Sequence, residues 1–194
     1  MKKVLVIKGH TRSDSYCDAL ADRYIKGSTE AGNQVQVLRL TDLNLEDFLK
    51  YQHRPTNDYP EMLTEVHEQM KWADHLVFVY PTWWGLPPGL VKTFIEVGFA
   101  PKVAFRYLPL KGRVVKVEKL FRGKSARLIS TMDAPPFYYN WFMGDPGGKA
   151  MKRTTLNFCG ISPVKKSYFG SVKVSTAEKR EKWLKKIESV GRSD

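Results

Sequence analysis

The chain has 194 residues, a 42% hydrophobic and 12% aromatic fraction, and 32 Lys and Arg against 20 Asp and Glu, for a formal charge of +12. That length suggests one domain (1–194) with a substantial core, and the composition excludes a disordered chain. The positive excess favours anionic partners: a phosphate-bearing cofactor, a nucleic acid or a membrane surface.

No stretch approaches the roughly 18 apolar residues of a membrane span, and the apolar run in MKKVLVIKGH is too short for a signal peptide. Cys17 and Cys159 are isolated, with no CxxC pair and no metal spacing. A reduced, cytoplasmic compartment and no metal site are the expectations.

Lys3 to Lys8 reads as a buried strand that breaks at Gly9, and Ser13, Asp14 and Ser15 offer caps for a helix carrying Tyr16, Leu20 and Tyr24 on one face. Gly32 should close that helix, and Val35 to Leu40 alternates as the next strand. Thr41 to Tyr59 reads as a long loop with one helical turn. Leu63, Val66, Met70 and Ala73 mark a second helix, Leu76 to Tyr80 a third strand, and Leu90, Phe94 and Val97 the helix after it.

Residues 100–124 are basic and aromatic, broken by Gly112 and Gly123, and read as an excursion, in one form a β-hairpin. Ala126 to Ser130 is a fourth strand. A helix runs from about Lys149 to Phe158 and stops at Gly160, and Val164 to Val174 holds the fifth strand. The last helix should bury Trp183, Leu184, Ile187 and Val190, with Glu178–Lys182 and Glu181–Lys185 pairing along its outer face. Strands alternating with helices predict a five-stranded parallel sheet covered on both faces, in the flavodoxin-like order 2-1-3-4-5.

Such sheets bind ligands beyond the carboxyl ends of their strands, at the switch point. Three loops therefore matter. Gly9 to Tyr16, holding His10, Arg12 and Ser15, offers a helix N-terminus and a cation to a phosphate, or else ordinary capping. It lacks the G-x-G-x-x-G fingerprint, and Phe121 to Ser125 is no phosphate loop because position 118 is Glu rather than Gly. Pro81 to Gly85 places Trp83 and Trp84 where a planar cofactor would pack, or where an interface anchor would sit. The third loop, Ser130 to Tyr139, should face the second; its alternative is an aromatic surface turn or dimer contact.

Several motifs together carry a resemblance: Gly9-His10 with Ser15-Tyr16; Tyr80-Pro81-Thr82-Trp83-Trp84-Gly85-Leu86-Pro87 followed by Leu90-Val91-Lys92; Phe99-Ala100 and Phe105-Arg106-Tyr107; and Asn157-Phe158-Cys159-Gly160. Over residues 1 to about 175 they resemble the flavin-dependent NAD(P)H:quinone oxidoreductases, the DT-diaphorase and flavodoxin-like-2 group. Relatives in that group include drug-activity modulators and the ancillary flavoproteins of potassium efflux. The resemblance implies a flavin held by His10, Arg12, Ser15, Tyr16 and Cys17, by Pro81, Thr82, Trp83, Trp84 and Gly85, and by Thr131, Met132 and Asp133. It implies that Phe105 and Tyr107 close the pocket across a homodimer. NAD(P)H would reduce the flavin, and a quinone or similar acceptor would then take both electrons in the same pocket.

The chain departs from the family at Cys17, where Asn is usual, and at Thr131 to Ala134, which replaces Thr-Thr-Gly-Gly. Asp133, if ionised, would disfavour negative charge on a flavin edge beside it. No His follows His75, so Tyr138 or Tyr139 is left as the hydrogen-bond donor assisting proton transfer. The chain is shorter at its C-terminus than the FAD-binding members, which makes FMN the expected flavin and FAD the alternative.

Two other functions compete. One is a regulatory flavoprotein bound to a membrane transporter, motivated by the basic surface. The other is a nucleic-acid-binding module, motivated by Val103 to Arg127; no binding motif supports it, so no nucleic acid is expected as partner.

Overall fold

The apolar run Val4-Leu5-Val6-Ile7 becomes a strand buried on both faces in the computed structural model, which describes all residues except 46–50, 52–58 and 110–114. Chain order runs β1 (Lys3–Lys8), α1 (Tyr16–Glu30), β2 (Gln34–Arg39), α2 (Glu61–Trp72), β3 (His75–Pro81), α3 (Gly89–Gly98), β4 (Phe105–Pro109), β5 (Val115–Lys119), β6 (Ser125–Thr131), β7 (Val164–Phe169) and α4 (Ala177–Ser193). The main sheet has the order β2-β1-β3-β6-β7, and every neighbouring pair is parallel. This is the expected five-strand order once the separate antiparallel hairpin β4–β5 is set aside. Among the described residues no helix is long and apolar enough to cross a membrane.

Alternation along the strands sorts two cores. Val4, Val6, Val77, Val79 and Ile129 pack against Leu20, Ala21 and Tyr24 of α1 and Ile187 of α4. Leu5, Ile7, Leu76, Phe78 and Leu128 pack against Leu63, Val66 and Met70 of α2 and Val91, Phe94 and Val97 of α3. The period of two that splits β1 between these cores also fixes its register, since a one-residue slip would exchange the two sets.

The loop expected over Thr41 to Tyr59 opens on the 3-10 turn Leu40–Asp42 and otherwise lies largely outside the described residues, as does Gly112. Three details differ from the pattern read in the sequence. The helix expected from Lys149 starts earlier, at Pro146, and passes through a π-helical stretch, Ala150–Leu156, before Asn157–Cys159. There the Thr154 and Thr155 hydroxyls both donate to the Ala150 carbonyl, at 2.7 and 3.3 Å, and compete with the ordinary helical bond. β7 ends at Phe169 because the chain turns through Ser171, whose φ is 56°.

The third difference is in α4. The ion pairs expected along its own face run instead across to α1: Arg23 meets Glu188 at 3.0 Å and Glu181 at 3.5 Å, and Lys26 meets Glu188 at 3.1 Å. Only Ile187 of its four expected apolar residues is fully buried, while Trp183, Leu184 and Val190 pack partly buried at the rim.

Asp194 anchors the end of α4 under the sheet. Its side chain accepts from Arg127 Nη2 at 2.9 Å and Lys165 Nζ at 3.1 Å, beside the buried His75. Burial pushes this carboxyl up, but the hydrogen bonds and charge of Arg127, with the Lys165 hydrogen bond, outweigh it and hold it far below the usual carboxylate range. The folded pKa is depressed, so the pairing stabilises the fold fully above the unfolded value of about 4 and loses its effect as pH falls toward the folded pKa. Asp194→Asn is expected to lower stability by about 2 kcal/mol at pH 7 and to flatten the acid limb below about pH 4. Urea unfolding at neutral and acid pH checks both.

Candidate functional site

β1, β3 and β6 are adjacent, so their carboxyl ends deliver three loops to one place. Lys8 pairs with Val79, and Pro81 with Thr131. Gly9 extends the ladder by donating to the Val79 carbonyl at 2.8 Å. A Cβ there would lie 2.4 Å from Val91 Cγ2, so only glycine brings the first loop this close to α3. Thr82 N–H donates to the Thr131 carbonyl at 2.7 Å, and the Thr82 and Ser130 hydroxyls bond at 2.7 Å, tying the second loop to the third.

A cleft of about 230 Å³ opens where the loops meet, lined by His10, Arg12, Ser15, Tyr16, Cys17, Pro81, Thr82, Trp83, Thr131, Met132 and Asp133, with Val172 and Lys173. A second cavity of about 420 Å³ shares Thr82, Trp83, Met132 and Asp133 with it and adds Trp84, Gly85, Ala134, Tyr139 and Met143. Every residue expected to touch the flavin lines one of the two. Val172 and Lys173 escaped the sequence reading because the fifth strand was drawn through them; the signal was the rule that loops at carboxyl strand ends converge. Ala134 and Met143 were also missed.

The first cleft is cationic. Arg12 and Lys173 make no ion pair among the described residues and frame the N-terminus of α1. His10 accepts the Arg12 N–H on Nδ1 at 3.0 Å, which leaves the Nε2 proton as its donor, and it stands edge-on to Trp83 at 5.6 Å. Burial and the Arg12 charge lower its pKa, so the ring is neutral at pH 7. Ser15 caps α1, accepting the Asp18 N–H at 3.2 Å, but its own proton goes to Asp18 Oδ2 at 2.6 Å. Asp18 is neutralised by Arg39 at 2.9 Å and Lys8 at 3.5 Å. Ser15 thus shapes the loop, with its hydroxyl proton already committed. Tyr16 donates to the Arg180 carbonyl at 2.9 Å, and burial pushes its hydroxyl to about 12. Cys17 Sγ lies 3.1 Å from Thr131 Oγ1; burial raises its pKa to about 12, so it is an unreactive thiol in the cleft wall.

The second cavity is aromatic. Trp83 and Leu86 exchange both backbone hydrogen bonds at 2.9 Å, closing a tight turn whose central residues, Trp84 and Gly85, have φ of 53° and 77°. Two positive φ values define a type I′ turn, which suits Gly85 and not Trp84. Trp84 is 100% exposed and Trp83 44%, so neither is a core residue. On the facing wall Met132 donates to the Phe169 carbonyl at 2.8 Å, and Asp133 Oδ1 accepts the Lys173 N–H at 3.3 Å.

Of the four remaining candidates, only Tyr139 lines one of these two cavities. Phe105 packs edge-on against Phe158 at 5.1 Å and Tyr107 at 5.4 Å on the hairpin, and neither lines the two cavities. Tyr138 is half-exposed and stacks on Phe142 at 5.6 Å. Tyr139 is buried, its hydroxyl bonded to backbone. Among the described residues no cluster of His, Cys, Asp and Glu could hold a metal ion.

The arrangement fits a ligand with an anionic end and a flat ring. Arg12, Lys173, the His10 Nε2 proton and the free N–H groups of α1 suit a phosphate. The Trp83–Leu86 turn and Met132 wall a slot for the ring.

Comparison with known proteins bears on the fold. A family model described as a flavodoxin-like fold matches residues 2–190. A Haemophilus influenzae protein called an uncharacterized NAD(P)H oxidoreductase is 26% identical over 173 residues, covering 87% of this chain and 83% of its own length. The crystal structure of Smu.1420 from Streptococcus mutans UA159 superposes with a TM-score of 0.77 at 26% identity, covering 99% of this chain and all of its own. A Bacillus anthracis FMN-dependent NADH-azoreductase, solved with FMN, shares the fold with a TM-score of 0.77 at 17% identity, covering 100% of this chain and 99% of its own.

Proposed function

The chain belongs to the flavodoxin-like family, and from that membership we propose that it is a flavin-dependent NAD(P)H oxidoreductase reducing quinones or similar small acceptors. The observation that carries this reading is the meeting of a cationic cleft with an aromatic slot at the switch point of the sheet. In it Arg12, Lys173, His10 and the N-terminus of α1 hold the cofactor phosphate. Trp83, Trp84, Gly85 and Met132 position and cover the ring. FMN is the favoured flavin, with FAD the alternative.

When bound, a flavin would supply the two-electron redox chemistry between NAD(P)H and the acceptor, which a ping-pong order of the two reactants in one slot would allow. The chain orients the reactants and keeps water from the slot. Of the two candidate donors, Tyr138 keeps a hydroxyl that makes no hydrogen bond among the described residues, but it lines neither cavity, so it serves only an acceptor that extends beyond the slot.

A homodimer belongs to the same proposal. The fully exposed Trp84 and the remote Phe105 and Tyr107 fit a site that a second copy's hairpin completes.

The test is a visible spectrum of the purified protein, repeated after anaerobic NADPH and then after a quinone. Flavin bands that bleach with NADPH and return with the quinone are the expected result. Bands that bleach but return only slowly would favour the regulatory, transporter-bound alternative. A protein that stays colourless with added FMN and FAD would overturn the reading and make Trp83 and Trp84 interface anchors.

A further inference from the structure

We propose that Tyr139 is a positioning residue, a latch whose hydroxyl fixes the Trp83–Leu86 turn and so sets the shape of the slot that receives the acceptor; what the turn serves rests on the oxidoreductase reading above. The turn needs an external hold. Trp84 sits at φ 53°, where a bulky side chain is disfavoured, and its ring is fully exposed, so no packing of its own keeps it there. The hold is at Gly85. Its carbonyl accepts the Tyr139 O–H at 2.8 Å and the Gly147 N–H at 3.1 Å, and that same N–H also reaches the Tyr139 hydroxyl oxygen at 3.1 Å.

Three polar groups thus close a compact ring between the second loop and the segment after β6. There is no slack in it. A Cβ on Gly147 would lie 2.8 Å from the Gly85 oxygen and 2.9 Å from the Tyr139 hydroxyl.

The latch is itself anchored. Tyr139 stands edge-on to Tyr168 at 5.7 Å, and Tyr168 donates to Asp145 Oδ1 at 2.8 Å. Asp145 is buried at φ 53° and ion-paired to Lys166. Two left-handed, non-glycine residues, Trp84 and Asp145, are therefore bound into one network. A hydroxyl has a single proton, and Tyr139 gives it to Gly85, which removes it from service as an acid. Burial raises its pKa, so that proton stays in place at neutral pH. Tyr139 lines the second cavity together with Trp84, Gly85 and Met143, so a loosened turn alters the space an acceptor enters.

Tyr139→Phe deletes the latching oxygen and keeps the ring. In the flavin-loaded protein, assayed with NADPH and a soluble benzoquinone, KM for the quinone is expected to rise about tenfold while kcat and its pH profile stay unchanged. Gly147→Ala leaves the hydroxyl in place but crowds the same contact, and should raise KM in the same way. A kcat loss of about a hundredfold with one limb of the pH profile missing would instead make Tyr139 the acid and overturn the latch.

A second readout needs no flavin. The anisotropy of Trp84 fluorescence, taken as the difference between each protein and its Trp84→Phe partner, should fall in Tyr139→Phe. An unchanged anisotropy with an unchanged KM overturns the proposal. If the protein binds no flavin at all, the oxidoreductase reading fails, and the anisotropy alone decides the latch.

Discussion

Arg12→Glu is expected to weaken FMN binding by roughly a hundredfold while leaving riboflavin binding unchanged. The two ligands differ only in the phosphate, so the comparison reads the cationic cleft and nothing else. Arg12 makes no ion pair among the described residues, and its exposed side chain lines the cleft beside the α1 N-terminus. A charge-assisted bond to phosphate contributes about 1.5–3 kcal/mol. Reversing the charge removes that bond and adds repulsion, and about 2.7 kcal/mol corresponds to two decades in Kd. The site is partly open, so salt should shrink the difference. Titration by fluorescence quenching at two salt concentrations measures all of this. Lys173→Glu should act in the same direction, because its side chain lines the same cleft. Equal losses for FMN and riboflavin would mean that the phosphate does not lie there.

The largest stability effect should come from a single glycine far from the site. Gly27→Val is expected to destabilise the fold by about 4 kcal/mol, beyond the usual 1–3 kcal/mol of overpacking. α1 and α4 cross with backbone against backbone: a Cβ on Gly27 would lie 2.0 Å from the Glu188 carbonyl oxygen, and one on Gly191 would lie 2.3 Å from that of Tyr24. Neither obstacle is the end of a flexible side chain, so the helices must separate. Separation would pull Glu188 from Arg23 and Lys26 and lift Ile187 out of the core. Thermal and urea unfolding of Gly27→Ala and Gly27→Val should show a graded loss.

Much of the fold was legible because β1 and β3 are apolar runs and β6 carries Ala126, Leu128 and Ile129, ended by Gly9, by the loop after Pro81 and by the segment after Thr131. Placing those three strands side by side placed the three loops, and with them most residues of both cavities, though not Val172, Lys173 or Met143. What could not be read depends on contacts between distant segments. The π-helical register at Ala150–Leu156 follows from two threonine hydroxyls choosing one carbonyl. The ion pairs of α4 follow from which face meets α1. The turn at Trp84 runs against local propensity: no Asn or Gly precedes Gly85, and its conformation is held from Tyr139, 54 positions away.

The hairpin has one more consequence, for how copies of this chain behave when crowded. β4 and β5 pair only with each other among the described strands, so beyond Phe105, which bridges Pro101 and accepts the Lys102 N–H, each offers an outer edge for further pairing. Open edges of this kind template strand addition from other molecules and seed fibres. Lys116 and Lys119, with Arg106 ion-paired across the ribbon to Glu118, leave it net positive, and Pro109 removes a donor from one strand end. Like-charged ribbons repel at close range, so stacking edge to edge carries an electrostatic cost. Neutralising those three cations should therefore shorten the time the protein stays clear in concentrated solution, with little change in its melting temperature.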